Sequence, residues 1–294
     1  MSDIGQRAPQ VAVVGSVNID LVVTVERLAL PGETVLAGGY TETVGGKGYN
    51  QAVAAARRVP TRLIGCVGED PFGATAVAEA QRRGVAVDAL ARVGAPTGRA
   101  LIEVGADGEN RIVVAPLANR EVTPEQVTAA LDGLRPSAVL TQLEIPLAAV
   151  AAAARWCEAN GARFLLNPSP AAALPAEVLG AADPLIVNEQ EAADLIGSTG
   201  SGAGADPSAA AAALGRVARS AVVTAGPRGA AYAVGSDVGH VPAKPLRAVD
   251  TTGAGDEFAG TLLAALASGE TLAQAVGRAI EAAAAIVVTA REER

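Results

Sequence analysis

Cysteine, histidine and aromatic residues are all scarce in this 294-residue chain. Its two cysteines, Cys66 and Cys157, provide no disulfide framework, and the apolar stretches around them favour buried thiols over reactive ones. The one histidine, His240, lies in a predicted hairpin without partners at metal-ligand spacing. Because aromatic residues make up 2% of the chain and hydrophobic residues 50%, the core must consist of alanine, valine and leucine.

A net positive charge and long apolar runs are also absent from the sequence. The chain has 23 basic and 31 acidic residues, a net charge of −8, which argues against nucleic-acid binding. A phosphate-bearing substrate is still compatible, because loop N–H groups bind phosphate locally. No apolar run reaches the roughly 18 residues of a membrane span, and no charged-then-apolar signal segment begins the chain. These observations predict a cytoplasmic protein.

Short β-branched runs alternate with alanine-rich helical stretches along most of the chain. Strands are predicted at residues 11–17, 62–67, 138–143, 163–166, 184–187 and 221–224. Helices are predicted at residues 51–58, 73–83, 124–134, 147–160, 189–196 and 207–218. This alternation predicts one doubly wound α/β domain over residues 1–294, with a mainly parallel sheet and helices on both faces.

Two segments depart from the alternation. Residues 21–44 and 98–115 show β-like patterns with turn signals, and neither contains a convincing helix. We predict antiparallel strands that form a small sheet beside the main one, although two ordinary surface hairpins would give the same pattern. Residues 197–207 are rich in glycine and serine and are predicted to form a connector.

The most informative stretch lies near the C-terminus and reads Asp250-Thr251-Thr252-Gly253-Ala254-Gly255-Asp256. An apolar helical run follows it, so the glycines sit where a loop becomes a helix and free N–H groups favour an anion. Asp256 would repel phosphate, but it suits a base that takes a proton from a hydroxyl during phosphoryl transfer. A capped helix after a flexible turn remains the alternative.

A second glycine-rich segment, Gly45-Gly46-Lys47-Gly48-Tyr49-Asn50-Gln51, also precedes an alanine-rich helix. It is not a P-loop, because Gly48 rather than serine or threonine follows Lys47. By itself it is consistent with a plain turn.

Polar residues recur at the predicted strand ends. They are Asn18 and Asp20, Glu144, Asn167, Asn188 and Thr224. Each alone is typical of a turn or cap. Because ligands of doubly wound sheets bind beyond the carboxyl ends of the strands, their shared position predicts a polar crevice with Asp256 at one wall.

Across residues 11–289 the chain resembles the ribokinase group of the PfkB-type carbohydrate and nucleoside kinase family. The resemblance rests on the two glycine segments and on further motifs that follow in the family's order: Gly15-Ser16-Val17-Asn18-Ile19-Asp20, Gly65-Cys66-Val67-Gly68-Glu69-Asp70-Pro71-Phe72-Gly73, Gln142-Leu143-Glu144-Ile145-Pro146, Asn167-Pro168-Ser169-Pro170 and Asn188-Glu189-Gln190-Glu191-Ala192. It implies a ribokinase-like fold in which the two departing segments form a lid and often the contact of a homodimer.

The resemblance also implies roles for single residues. The sugar half of the crevice takes Asn18, Asp20, Gly46, Lys47, Asn50 and Glu144. The nucleotide half takes Asn188, Thr224, Gly226 and Gly229, beside an anion hole of Gly253, Ala254 and Gly255. Glu191 would hold Mg²⁺ indirectly, through the metal–phosphate water network. Asp256 is the implied base.

Cofactors follow from the same resemblance: ATP, Mg²⁺ and a monovalent cation such as K⁺ at Asp250 and the Thr252 carbonyl. Relatives complete the K⁺ shell with a loop after the position of Thr289, whereas this sequence reads Ala290-Arg291-Glu292-Glu293-Arg294, so we expect an incomplete site. Three further departures are Tyr49 for the usual alanine, Leu117 for glycine, and Glu281 where relatives carry asparagine or histidine near the adenine.

We therefore expect an ATP-dependent sugar kinase acting on the 5-hydroxyl of D-ribose. Another pentose, a ketohexose or a nucleoside is the alternative acceptor. A sugar-binding or regulatory protein with impaired catalysis is the alternative from another class.

Overall fold

The computed structural model describes residues 10–199 and 206–289. In chain order its strands are β1 (Val11–Val14), β2 (Asn18–Val25), β3 (Gly39–Gly45), β4 (Thr61–Gly68), β5 (Leu90–Val93), β6 (Gly98–Gly105), β7 (Asn110–Ala115), β8 (Ala138–Thr141), β9 (Arg163–Leu166), β10 (Leu185–Asn188), β11 (Ser220–Thr224), β12 (Ala230–Val234) and β13 (Asp237–Val241). Its α-helices are α1 (Lys47–Ala56), α2 (Pro71–Arg82), α3 (Pro124–Leu134), α4 (Leu147–Asn160), α5 (Ala176–Ala181), α6 (Glu189–Thr199), α7 (Pro207–Leu214), α8 (Ala254–Ala267) and α9 (Leu272–Val287).

Within the described residues the main sheet has nine strands, in the order β13-β12-β11-β10-β9-β8-β1-β4-β5. All neighbours from β11 to β5 are parallel, and β12 and β13 form an antiparallel hairpin at one edge that contains His240, as predicted. The expectation of a doubly wound, mainly parallel sheet is confirmed. Because the strands are parallel, their carboxyl ends lie at one edge. Asn188 and Thr224 end β10 and β11 there, and Asn167 and Glu144 come after the ends of β9 and β8.

Helices cover both faces of this sheet, which explains the continuous apolar runs of its strands. In β1, Ala12 and Val14 pack into one buried cluster while Val11 and Val13 pack into the cluster on the opposite face. Cys66 and Cys157 are buried and free, and burial raises the pKa of the Cys157 thiol to about 12. The core consists largely of alanine, valine and leucine, as the composition predicted.

The second sheet of the described part of the chain has four strands in the order β3-β2-β6-β7, and we call it the lid. The prediction of a purely antiparallel sheet is wrong in one respect, because β2 and β6 pair in parallel. Strand β1 ends at Val14 rather than at residue 17, and Asn18 and Asp20 lie inside β2 instead of following a main-sheet strand. The chain therefore enters the lid three residues earlier than predicted.

Helix ends follow local signals closely. Both α3 and α4 have the predicted bounds. The Thr123 side chain caps α3 by accepting from the Gln126 N–H, and Gly161, with φ of +67°, ends α4. Helix α1 begins earlier than predicted, at Lys47. The sequence analysis missed β5, α5 and α9. Part of the predicted connector at residues 197–207 and the tail at residues 290–294 lie outside the described residues.

Candidate active site

Asp256 lies in the first turn of α8, and Gly253 caps this helix with φ of +78°. A left-handed φ of this kind favours glycine, because a Cβ would crowd the backbone. The first internal hydrogen bond of the helix is donated by the Glu257 N–H to the Gly253 carbonyl at 2.9 Å. The N–H groups of Gly255 and Asp256 precede this bond, so the helix start can receive an anion.

Helix α1 packs directly against α8, and a missing side chain permits the contact. A Cβ on Gly260 would lie 2.3 Å from the Gln51 carbonyl oxygen and 2.6 Å from the Ala54 Cβ. Only glycine allows this approach. The contact brings Asn50 and Gln51 to Asp256, about 200 positions away in the chain.

The Asp256 carboxylate is buried and receives an amide donor on each oxygen. The Asn50 side chain donates to Oδ2 at 3.0 Å, and the Gln51 side chain donates to Oδ1 at 2.9 Å. Burial raises the pKa of Asp256, whereas the Lys47 charge and the two amide donors lower it and Glu144 raises it. A raised pKa brings a carboxylate closer to the range in which it serves as a base at neutral pH.

The Glu144 carboxylate is the centre of the predicted sugar half. Its Oε2 accepts from the Ser16 hydroxyl at 2.6 Å, the Lys47 main-chain N–H at 3.1 Å and the Asn18 amide at 3.5 Å. The lid start, the start of α1 and the loop after β8 therefore meet at one carboxylate. The structure brings these predicted residues together.

Asp20 is also buried at this site, two residues beyond Asn18 on the same face of β2. A Cβ on Gly45 would lie 2.3 Å from a carboxylate oxygen of Asp20, so this glycine makes room for the side chain. Gly46 adopts φ of +91°, which again requires glycine. The close approach of β3 to β2 thus depends on the glycine segment.

Asn188 and Thr224 lie side by side at the ends of β10 and β11. The Asn188 side chain accepts from the Glu191 N–H at 2.8 Å, and the Glu191 side chain accepts from the Asn188 N–H at 2.9 Å. This reciprocal capping accounts for both residues structurally. The Thr224 hydroxyl donates to the Val187 carbonyl at 3.3 Å.

Gly226 and Gly229 flank a short turn after β11 and have φ of +53° and +94°. A Cβ on Gly229 would lie 2.1 Å from the Val241 carbonyl oxygen. These glycines therefore permit the tight β11–β12 connection beside Thr224. The φ angles and the close packing of the turn account for both glycines without a ligand.

Asp250 and Thr252 form a turn before the anion loop, in which the Thr252 N–H donates to Asp250 Oδ1 at 2.8 Å. The N–H groups of Val249 and Asp250 both donate to the Val287 carbonyl at the end of α9. The tail on which the expected incomplete K⁺ shell depends lies outside the described residues.

The departures from the family pattern have distinct surroundings. Leu117 adopts φ of +46°, a left-handed conformation that favours glycine, the residue expected there from the family pattern. Glu281 lies in a cleft of about 450 Å³ with Lys244, whose ammonium is 3.4 Å from its carboxylate. Tyr49 is buried on the wall of a cavity of about 520 Å³ that also reaches Asn50 and Gly253.

Sequence reasoning assigned no role to two buried amides at the site. Gln51 connects Asp256 to the Asn167 amide oxygen at 3.1 Å. Asn119 donates to the Asn18 amide oxygen at 2.8 Å and also exchanges hydrogen bonds with the main chain of Val17. The signal that could have found Gln51 is its place as the one polar residue after Asn50 in an alanine-rich helix.

Comparison with known proteins identifies relatives along nearly the whole chain. The ribokinase of Bacillus subtilis is 35% identical over 275 residues, covering 93% of this chain and 91% of the relative. A bifunctional ribokinase/ribose-5-phosphate isomerase A from Fructilactobacillus sanfranciscensis is 37% identical over 261 residues, 87% of this chain. This chain spans 48% of that longer protein.

Solved structures of ribokinases are also similar to this chain. Ribokinase from Thermotoga maritima has a TM-score of 0.88 and 32% identity, covering 96% of this chain and 94% of that one. Arabidopsis thaliana ribokinase, complexed with ribose and ATP, has a TM-score of 0.84 and 30% identity, with 96% and 94% covered.

The profile of the pfkB family carbohydrate kinases matches residues 8–292. Enzymes of this kind transfer a phosphoryl group to an alcohol. The chain therefore belongs to the pfkB carbohydrate kinase family.

Proposed function

We propose that this protein is an ATP-dependent ribokinase, which phosphorylates the 5-hydroxyl of D-ribose. The observation that carries the proposal is the placement of a buried carboxylate, Asp256, at the start of α8 beside the Glu144 cluster. A base and an anion site then lie next to a set of groups suited to sugar hydroxyls. The similarity to ribokinases supports ribose as the acceptor.

In this mechanism Asp256 takes the proton from the 5-hydroxyl as its oxygen attacks the γ-phosphoryl group of ATP in line. The bond to the bridging oxygen of ADP breaks, and ADP leaves with the electron pair. The proposed anion hole is the segment Gly253, Ala254 and Gly255. Because the Ala254 N–H is donated to the Thr251 carbonyl at 3.1 Å, we assign the stabilisation of the transferred group's charge to the N–H groups of Gly253 and Gly255. Lys47, which lies near enough to lower the pKa of Asp256, adds positive charge.

The sugar half orients the acceptor. Asp20 and Glu144 accept hydrogen bonds from ribose hydroxyls, and Asn18 and Asn50 both donate and accept through their amides. Gly46 allows the backbone of the segment before α1 to approach the sugar. These side chains are already held by one another, so little ordering is needed on binding.

The nucleotide half lies along the ends of β10 and β11, where Asn188, Thr224, Gly226 and Gly229 border the place for ATP. The cleft that contains Lys244 and Glu281 would border the adenine. Glu191 fits an indirect role toward Mg²⁺, since a carboxylate oxygen is a hard ligand of the kind that cation prefers. Bound Mg²⁺ neutralises charge on the nucleotide phosphates.

Asp250 and the Thr252 carbonyl would contribute to a K⁺ site. We further propose one kinase domain with the lid inserted and a homodimer formed through the lid. In support of the dimer, Leu101 and Val113 pair across β6 and β7 on one face of the lid, and each is more than half exposed. Light scattering that gives the mass of a monomer at micromolar concentration would contradict the dimer.

Release of ADP, measured with a panel of sugars and nucleosides, tests the proposed function. The highest kcat/KM with D-ribose supports it. A preference for another pentose, a ketohexose or a nucleoside keeps the chemistry and changes the acceptor. Tight sugar binding without ADP release from any acceptor would make the chain a sugar-binding protein and refute the proposal.

A further inference from the structure

We infer that Gln51 is a positioning residue that fixes the orientation of the Asp256 carboxylate and favours its ionised form. The inference rests on the proposed function for its kinetic consequence, because the base must be ionised to accept a proton. Its structural basis is independent of which sugar is phosphorylated.

The Gln51 side chain is fully buried, and its amide nitrogen uses both of its hydrogens within the site. Nε2 donates to Asp256 Oδ1 at 2.9 Å and to Asn167 Oδ1 at 3.1 Å. An inverted amide would point its oxygen at two acceptor oxygens, which is repulsive. The direction of the Gln51 amide is therefore determined by its surroundings.

Asn167 is held in the same way. Its Nδ2 donates to the Ile186 carbonyl in β10 at 3.0 Å, so its oxygen must face Gln51. A chain of three hydrogen bonds then runs from the main chain of β10 through Asn167 and Gln51 to Asp256. The orientation of the base is set by the main sheet, in addition to its own helix.

Asn50 and Gln51 act on different oxygens of Asp256 and differ in exposure to substrate. Asn50 donates to Oδ2 and belongs to the proposed sugar half, whereas Gln51 is enclosed between α1 and α8. Gln51 is therefore suited to act as a permanent hydrogen-bond donor to Asp256, which substrate binding does not displace. The charged groups acting on Asp256 are Lys47 of α1 and Glu144 of the loop after β8, and both remain when Gln51 is changed.

The direction of the change in the pKa of Asp256 follows from the loss of the Gln51 amide donor. A hydrogen bond to the carboxylate favours the charged form, so its loss raises the pKa of Asp256. At a pH below the new pKa the base is protonated, and turnover falls. At a pH above it, turnover recovers.

Gln51→Leu tests this inference, because leucine has a similar volume and no donor. We expect the acidic limb of kcat against pH to move upward by about one to two pH units, with KM for ribose nearly unchanged. The matched control is Gln142→Leu, since Gln142 is also a fully buried glutamine at the edge of the sheet, packed over Gly15. This variant should leave the acidic limb where it is in the wild type.

A measurement without turnover separates this inference from the proposed function. The protonated carboxyl of Asp256 can be followed by infrared titration, and its band is assigned by its absence in Asp256→Asn. In Gln51→Leu the pKa from this titration should show the same upward shift. If Gln51→Leu does not fold, Asn167→Leu removes the anchor one bond away and should shift the titration in the same direction by less. A shift in an enzyme that phosphorylates no sugar would support the inference and refute the function. An unshifted Asp256 titration in a folded variant would overturn the inference.

Discussion

Gly260 of α8 meets Gln51 of α1 so closely that a Cβ at position 260 would lie 2.3 Å from the Gln51 carbonyl oxygen. The two helices that supply the base and its amide donors are therefore in backbone contact at this point. Glu257, one turn earlier in α8, reinforces the contact by accepting from the Arg57 guanidinium at 2.7 Å.

Gly260→Ala should force α1 and α8 apart. Overpacking of this kind costs about 1–3 kcal/mol, so we expect a lower free energy of unfolding together with reduced kcat. The control is Gly133→Ala in α3, where a Cβ would meet no atom within 4 Å. That variant should gain about 0.5–1 kcal/mol from the helix preference of alanine. Denaturant unfolding of both variants checks this, and equal stabilities would contradict the close contact.

Asp256→Asn should abolish phosphoryl transfer while leaving sugar binding nearly intact. Asparagine keeps the shape of the side chain but cannot accept the proton, and loss of a general base costs about 10²–10⁴-fold in kcat. Steady-state kinetics and ribose calorimetry measure the two effects separately. A variant that retains most of its kcat would remove Asp256 from the role of base.

Asp20→Ala should weaken ribose binding much more than ATP binding. Each hydrogen bond lost to a charged group is worth roughly 1.5–3 kcal/mol, about tenfold or more in affinity. Glu103→Ala is a suitable control, because Glu103 pairs with Val23 in the lid and its side chain lies on the opposite face from Asp20. Calorimetry that finds equal ribose affinity in the two variants would exclude Asp20 from the sugar site.

Leu117→Gly should stabilise the protein, because Leu117 adopts φ of +46°. A left-handed conformation costs a residue with a Cβ about 1–2 kcal/mol, and part of that cost is returned by the greater chain entropy of glycine in the unfolded state. We expect a net gain of about 0.5–1 kcal/mol. Ala118→Gly, next to it and without a positive φ, should instead lose stability. A decrease in Tm for Leu117→Gly would show that its side-chain contacts outweigh the strain.

Local sequence determined the elements whose signals are short-ranged. Helix α3 could be predicted to the residue because Thr123 and Pro124 mark its start, and the parallel strands could be predicted from continuous apolar runs. The two glycine segments marked the starts of α1 and α8, and the polar strand ends marked the edge of the sheet that faces the site. Asp256 was recognisable because a carboxylate at an anion-binding helix start is unusual.

Tertiary structure decided which of these elements meet. The parallel pairing of β2 with β6 depends on a crossover of the chain, which local alternation of side chains does not encode. The hydrogen bond from Gln51 to Asp256 joins residues 205 positions apart, and the one from Asn119 to Asn18 joins residues 101 apart. A buried amide finds its partner only when the packing of helices and strands excludes water from it, and that packing is a property of the whole fold.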